Sequence, residues 1–409
     1  MEKGQAPWGV PGKRNDLIEL NFMEWKLSTN KEWSHLERAF DWVADMRDVP
    51  QDPVHHAEGN VAMHTQEVIR VLTSLEGYRQ LPVQKQEVLW AAALLHDVEK
   101  RSTTVHEADG RISSRGHTRR GEFTARRVMI EQVPTPFALR EEVAALVRYH
   151  GLPLWALDRR DPKKAVIEAS LRVDMRLLSL LARADALGRI CADQAQLLER
   201  IAFFEALCEE QQCWNGPRQF ASGHARFNYF QKDDAYPDYE PFDDLRSTVV
   251  MVAGLPGMGK DTYLHKHHPD LPVLSLDAIR REYNLAPDDK TATGWVVQTA
   301  KEQARTHLRQ GASFAWNATN ITRQMRAQWI DLFTTYKARV KLVYVEVPYD
   351  DWLRQNSARD YPVVTVVLSR LLDKLEIPGV EEAHEVIFHD TGSWQLAAKG
   401  HKKKKPSLM

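Results

Sequence analysis

The chain has 409 residues, 43% of them hydrophobic, with a formal net charge of -1. That length accommodates two or three domains, and the charge balance excludes a whole-molecule field for nucleic acid, so any nucleic-acid surface must be local. Its three cysteines, Cys191, Cys208 and Cys213, lack CxxC spacing, which excludes a disulfide framework and points to a reducing compartment. The opening MEKGQAPWGVPGKRND has no signal-peptide apolar run, and no stretch of about 18 apolar residues is present. A cytoplasmic protein without a membrane anchor is therefore expected.

From about Asn15 to Gln212 the apolar residues recur at three- and four-residue steps, as in VAMHTQEVIRVLTSL, VQKQEVLWAAALLH, REEVAALVRYH and ASLRVDMRLLSLLARADALGRI. This predicts an all-α domain over residues 1–214. The Gly-, Pro-, Asp- and aromatic-rich stretch 215–245 reads as a linker that packs on a domain. Short apolar runs then alternate with helical patterns: TVVMVA, PVLSLD, SFAWNA, RVKLVYVEV and EVIFHD. Strands interleaved with helices predict an α/β domain with a parallel sheet over residues 246–395. The tail 396–409, with its basic run Lys402 to Lys405, reads as solvated chain.

In the helical half, titratable residues close or interrupt apolar runs. His64 lies in HHAEGNVAMHT, His96 and Asp97 end WAAALLHD, His117 is in RGHTRRGE, His150 in VRYHG, and Asp185 in LLARADALGR. An uncompensated buried His or Asp is costly, so residues placed this way want partners, and several converging on one point make a divalent-metal site. His-rich ligation favours Ni²⁺, Co²⁺ or Mn²⁺ over Mg²⁺. His55 and His56 precede the helix and read as loop residues. The order His, His-Asp, distant Asp resembles the HD phosphohydrolase superfamily. PVHHAEGNVAMHT, HDVEK, GHTRRGE and ADALGR further resemble the HD module attached to bacterial tRNA nucleotidyltransferases, from roughly Pro53 to Arg189. The resemblance implies His64, His96, Asp97 and Asp185 as metal ligands. It implies His117 and His150 for a second metal or the phosphate, and Lys100 as a phosphate contact, with Arg120 as a helper.

In the second half, Gly254, Gly257, Gly259 and Lys260 follow TVVMVA and open a helix, the context of a phosphate-binding loop. Glycines let backbone N–H groups face one anion, the helix N-terminus adds positive potential, and Lys260 reaches the transferable phosphates. This calls for ATP or another NTP with Mg²⁺. Asp261 stands where a hydroxyl is usual; its carboxylate is a hard ligand for Mg²⁺, or Thr262 supplies the hydroxyl.

Further on, SLDAIR resembles the Asp-x-x-Arg element of phage-type 5′-OH polynucleotide kinases, WNATNIT their Asp-x-Thr-Asn element, and RQNSARDYPVV their lid. The resemblance spans about Thr248 to Asp390. It implies Asp277 as general base, Arg280 as clamp on a phosphate of the acceptor strand, Asn320 as a retained site residue, and Arg359 as the arginine gripping donor phosphates. Asn317 replaces that family's aspartate.

Together the halves resemble two-domain bacterial RNA-repair proteins. This implies a kinase acting on a 5′-OH and a hydrolase acting on 2′,3′-cyclic, 2′- or 3′-phosphate ends, with an RNA ligase as a partner. The alternative keeps both folds and changes the substrate: a kinase of a small nucleoside or metabolite fused to an HD nucleotide phosphohydrolase.

Overall fold

The computed structural model describes residues 24–285 and 289–391; the basic tail and the N-terminal segment lie outside the described residues. The chain divides into two compact units, with the boundary between Gln219 and Phe220.

The first unit is a helical bundle with one small hairpin, Val105–His106 paired with Ile112–Ser113. At its centre runs the helix Val83–Leu95, in which every residue from Glu87 to Leu95 is buried. A helix apolar all round must be surrounded, and the helices Val61–Ser74, Phe137–Tyr149 and Met175–Leu187 pack on it. Whatever follows its last turn is delivered into the interior. Two of the packing helices are fixed in register by side-chain caps. Asn60 accepts from Met63 N at 2.9 Å, and Asp174 accepts from Arg176 N at 2.9 Å.

The second unit is built on a five-stranded parallel sheet. In spatial order its strands are Val273–Ser275, Phe314–Asn317, Ser247–Ala253, Ala338–Glu346 and Glu385–Asp390. The first strand in sequence is thus central, and its buried run VVMVA reflects coverage on both faces. Strand order reverses beside this strand, and such switch points are where open α/β sheets bind ligands, outside the carboxyl ends of the strands. The register sets Val252 opposite Asn317, and Asn317 opposite Ser275, so the ends of these strands are level.

The stretch read as a linker is divided between the units. Arg218 N donates to Ser170 Oγ at 3.2 Å in the first unit. Beyond the boundary, the helix Gly223–Gln231, capped by Ser222, belongs to the second unit, where Arg226 Nε donates to Val380 O at 3.0 Å. Among the described residues, no helix is long and apolar enough to cross a membrane.

Candidate functional site

The first unit brings together all six predicted ligands. His64 sits in the first turn of its capped helix, Asp185 in the last turn of Met175–Leu187, and His96–Asp97 directly after the central helix. His117 opens the helix His117–Glu131 behind Gly116, whose φ of +82° suits glycine, and His150 follows Phe137–Tyr149. His64, His96, Asp97, His150 and Asp185 are each at most 4% exposed.

Three of the histidines are oriented by one device. Nδ1 of His96 lies 2.7 Å from Ala93 O, Nδ1 of His117 2.7 Å from Ser114 O, and Nδ1 of His150 2.9 Å from Val147 O. A carbonyl only accepts, so each Nδ1 carries the proton and each Nε2 points inward. His64 is held instead by a carboxylate, its Nδ1 2.8 Å from Glu58 Oε1. Asp97 lies between the rings. Its Oδ2 is 3.2 Å from His96 Nε2 and 3.7 Å from His64 Nε2, while Oδ1 is 3.3 Å from His117 Nε2 and 3.8 Å from His150 Nε2. Asp185 Oδ1 is 3.1 Å from His64 Nε2. The ligand atoms fall into two compact groups, His64/His96/Asp185 and Asp97/His117/His150.

One detail decides what these groups are for. Nε2 of His117 and Nε2 of His150 face each other at 3.3 Å, while both Nδ1 protons are committed to carbonyls. Burial, with the neighbouring histidines, pushes His150 down to about 3, and burial also lowers His117, so both rings are neutral near pH 7. Two lone pairs and a carboxylate oxygen then converge with no proton between them. A cation satisfies such a set. The Nε2 atoms of His64 and His96 are likewise buried without a hydrogen-bond partner among the described residues. Burial alone would raise the Asp97 pKa, but Lys100, His96 and His117 outweigh it and hold it well below the ordinary carboxylate range. Asp185 behaves alike: Arg189 and His64 overcome its burial.

Four contributors escaped the sequence reading. Glu58 orients His64 and receives Ile190 N at 2.9 Å. His56, read as a loop residue, is buried with its Nδ1 2.9 Å from Glu58 Oε1, because the loop folds inward. Arg189 grips Asp185 through both nitrogens, at 3.0 and 2.7 Å. Gln51 accepts from Lys100 Nζ at 2.7 Å; the same nitrogen is 2.7 Å from Asp97 Oδ2. Lys100 thus touches a ligand and faces a 590 Å³ cavity that Arg148, Trp155, Arg159 and Arg189 also line. Arg120 lies elsewhere, its Nη1 donating to Ser102 O at 3.1 Å.

In the second unit Lys260 opens its helix after Gly259, whose φ is +87°. Its Nζ donates to Gly254 O at 2.9 Å and Leu255 O at 3.0 Å, folded back on its own loop. Burial pushes it down to about 8. Asp261 and Asp277 oppose that shift and Arg359 adds to it, so all three charges lie within electrostatic range of the ammonium. Gly254 has φ +147°, and a Cβ there would meet Val345 O at 2.5 Å, so only glycine fits. The helix Tyr349–Ser357 braces the loop: Trp352 Nε1 donates to Pro256 O at 2.7 Å. Asn356 bonds Val363 in both directions, at 2.8 and 3.1 Å, closing the segment that presents exposed Arg359. Arg354 is paired with Asp351 at 2.6 Å.

Asp277 is exposed in the first turn of the short helix Leu276–Glu282, and Arg280 follows on the same face, its Nη2 donating to Thr293 Oγ1 at 3.1 Å. Asn320 differs from expectation. It is 1% exposed with φ +49°, and its Nδ2 donates to Val252 O at 2.7 Å. It anchors the end of the central strand, and its Oδ1 is buried without a hydrogen-bond partner among the described residues. Asp261 and Asn317 are bonded to each other, Nδ2 to Oδ1 at 2.6 Å.

Comparison with known proteins agrees with this geometry. Residues 61–190 match the HD domain model and residues 249–378 the AAA domain model. The chain thus carries an HD domain followed by an AAA-type P-loop domain. It is 28% identical over 159 residues to the Multifunctional CCA protein of Aromatoleum aromaticum, an alignment that covers 39% of this chain and a third (33%) of the relative's length. A crystal structure from Chloroflexus aurantiacus, described only provisionally as a kinase, aligns with 36% of this chain and 89% of its own at 16% identity, with a TM-score of 0.31.

Proposed function

We propose that this chain heals RNA ends: the P-loop domain transfers the γ-phosphate of an NTP to a polynucleotide 5′-OH, and the HD domain clears a 2′,3′-cyclic, 2′- or 3′-phosphate. The observation that carries the reading is the pairing of Asp277 and Arg280 on one short helix beside Lys260. Asp277 accepts the proton of the attacking hydroxyl. Arg280, whose Nη1 is buried without a partner among the described residues, holds a phosphate of the acceptor strand. Lys260 leaves its loop carbonyls for the donor phosphates, and Arg359 stabilises the charge that develops on them. Tyr283, at the end of this helix, and Trp295, on the helix Lys290–Arg309, meet edge to face at 4.7 Å, are half exposed and offer a stacking surface suited to a single strand.

In the HD domain, a bound divalent cation supplies a water of lowered pKa and polarises the phosphoryl group. His64, His96, Asp97, His117, His150 and Asp185 hold the cations, and their imidazole-rich set suits Ni²⁺, Co²⁺ or Mn²⁺. Lys100 and the arginines of the cavity receive the phosphate, in a volume that suits a nucleotide end.

Acceptor competition tests the kinase reading. With labelled ATP and Mg²⁺, a 5′-OH oligoribonucleotide is expected to be labelled far better than a nucleoside, with binding that weakens steeply in salt. Trp295→Ala should raise the oligonucleotide KM roughly tenfold or more, in line with one lost stacking contact, and leave the ATP KM unchanged. Equal use of nucleoside and oligonucleotide would move the assignment to a small-molecule kinase.

A further inference from the structure

The two positions at which the P-loop domain departs from its usual pattern touch each other. Phosphate-binding loops commonly hold Mg²⁺ with a Ser or Thr after the lysine and an aspartate at the end of a neighbouring strand. Here the carboxylate stands after the lysine, as Asp261, and a neutral amide stands at the strand end, as Asn317. The parallel register sets Asn317 opposite Val252, beside the loop, and Asn317 is 5% exposed while Asp261 is exposed in the first turn of its helix. Asn317 Nδ2 donates to Asp261 Oδ1 at 2.6 Å. Among the described residues that amide is the one hydrogen-bond partner of the Asp261 side chain, and no lysine or arginine forms an ion pair with it.

The exchange keeps what a cation site needs, one carboxylate and one neutral group that fixes it. Each departure alone is damaging. An aspartate at 317 opposite Asp261 would put two carboxylates in hydrogen-bond contact, and one would have to take up a proton. A hydroxyl at 261 opposite Asn317 would remove the only anionic oxygen, and the buried amide would lose its charged acceptor. Hard oxygens from Asp261, with the Thr262 hydroxyl next to it, suit Mg²⁺, which takes one or two carboxylates and completes its shell with water and substrate phosphates.

We propose that Asp261 and Asn317 form an exchanged cation site. The Asp261 carboxylate ligates the divalent ion that accompanies a nucleoside triphosphate, and Asn317 is its positioning residue. The proposal rests on reading the loop as a nucleotide site, and the test separates the two. ADP binding to the full chain is measured by calorimetry with and without Mg²⁺, beside direct Mn²⁺ binding by electron paramagnetic resonance in the presence of ADP, with the HD metals already loaded. In the wild type Mg²⁺ tightens ADP. Asp261→Ser and the isosteric Asp261→Asn should bind metal-free ADP at least as tightly as the wild type, because a negative charge beside the phosphates is gone while the loop amides and Lys260 are intact, and should lose the Mg²⁺ enhancement. Asn317→Ser should weaken the enhancement by about tenfold or more, as loss of a ligand's orienting partner does. The double variant Asp261→Ser/Asn317→Asp restores the common arrangement and should regain it. Full Mg²⁺ enhancement in Asp261→Asn, or a double variant no better than Asp261→Ser, overturns the exchange. A wild type that binds no ADP at all overturns the nucleotide site itself and the exchange with it.

Discussion

Asp97 shows how much one residue is asked to do. Its two oxygens face different groups of histidines, and Lys100 lies against one of them. The residues that orient its neighbours matter almost as much as the ligands. Glu58→Gln keeps the shape of the side chain and removes the charge that holds His64 Nδ1. Metal affinity measured by equilibrium dialysis should fall between about 10- and 100-fold with the fold intact; unchanged affinity would mean that Glu58 is not the group that orients His64. Lys260 gives a second prediction. Its pKa lies near 8 against an ordinary 10.5, and burial is the chief cause. Bound polyphosphate favours the charged form and raises it again. Between those two values the free protein carries a neutral lysine and the complex a charged one, so binding takes up a proton. Calorimetry at pH 9 in buffers of different ionisation heat should show that uptake, and ADP affinity should decline as pH rises above 8. Absence of uptake would place Lys260 away from the phosphates.

At the scale of elements, the helical half rests on a buried ionic network as well as apolar packing. Arg126 donates to Glu122 at 2.9 Å and Glu141 at 2.8 Å, and Arg172 reaches Glu122 at 2.8 Å. Burial alone would raise the Glu122 pKa, but Arg172 and Arg126 bring it down to about 2 from 4.5. A depressed carboxylate contributes stability that is complete above 4.5 and is lost as pH falls toward 2. The shift corresponds to about 3 kcal/mol. Glu122→Gln should therefore destabilise the HD domain by a few kcal/mol at pH 7, and its urea midpoint should converge with wild type near pH 2. A constant difference across that range would contradict the assignment.

The same scale explains what could be read in advance. The strands and most of the clustered histidines and aspartates were legible because they lie in or close strongly apolar segments, such as the all-buried Glu87–Leu95 run that ends in His96. Glu58, His56 and Gln51 sit in non-periodic chain before the first ligand helix, and nothing local marks them as buried. Asn320 was placed by motif likeness, and nothing local in the sequence marks its left-handed φ or its bond to Val252. The bond between Asp261 and Asn317 spans 56 residues, and only parallel strand register brings the two together. That contact is the observation from which we infer that the two departures compensate.

For the whole molecule, each unit has its own core and its own candidate site. One depends on cation-binding imidazoles and carboxylates, the other on main-chain amides at a strand end. The most direct test presents full-length protein with one RNA that bears a 5′-OH and a 2′,3′-cyclic phosphate, and follows both ends. Asp97→Ala is expected to abolish processing of the phosphorylated end and to leave 5′ labelling from ATP at the wild-type rate. Lys260→Ala is expected to do the reverse. Loss of both reactions in either folded variant, or survival of end processing in Asp97→Ala, would contradict two independent sites with an HD metal centre at one of them.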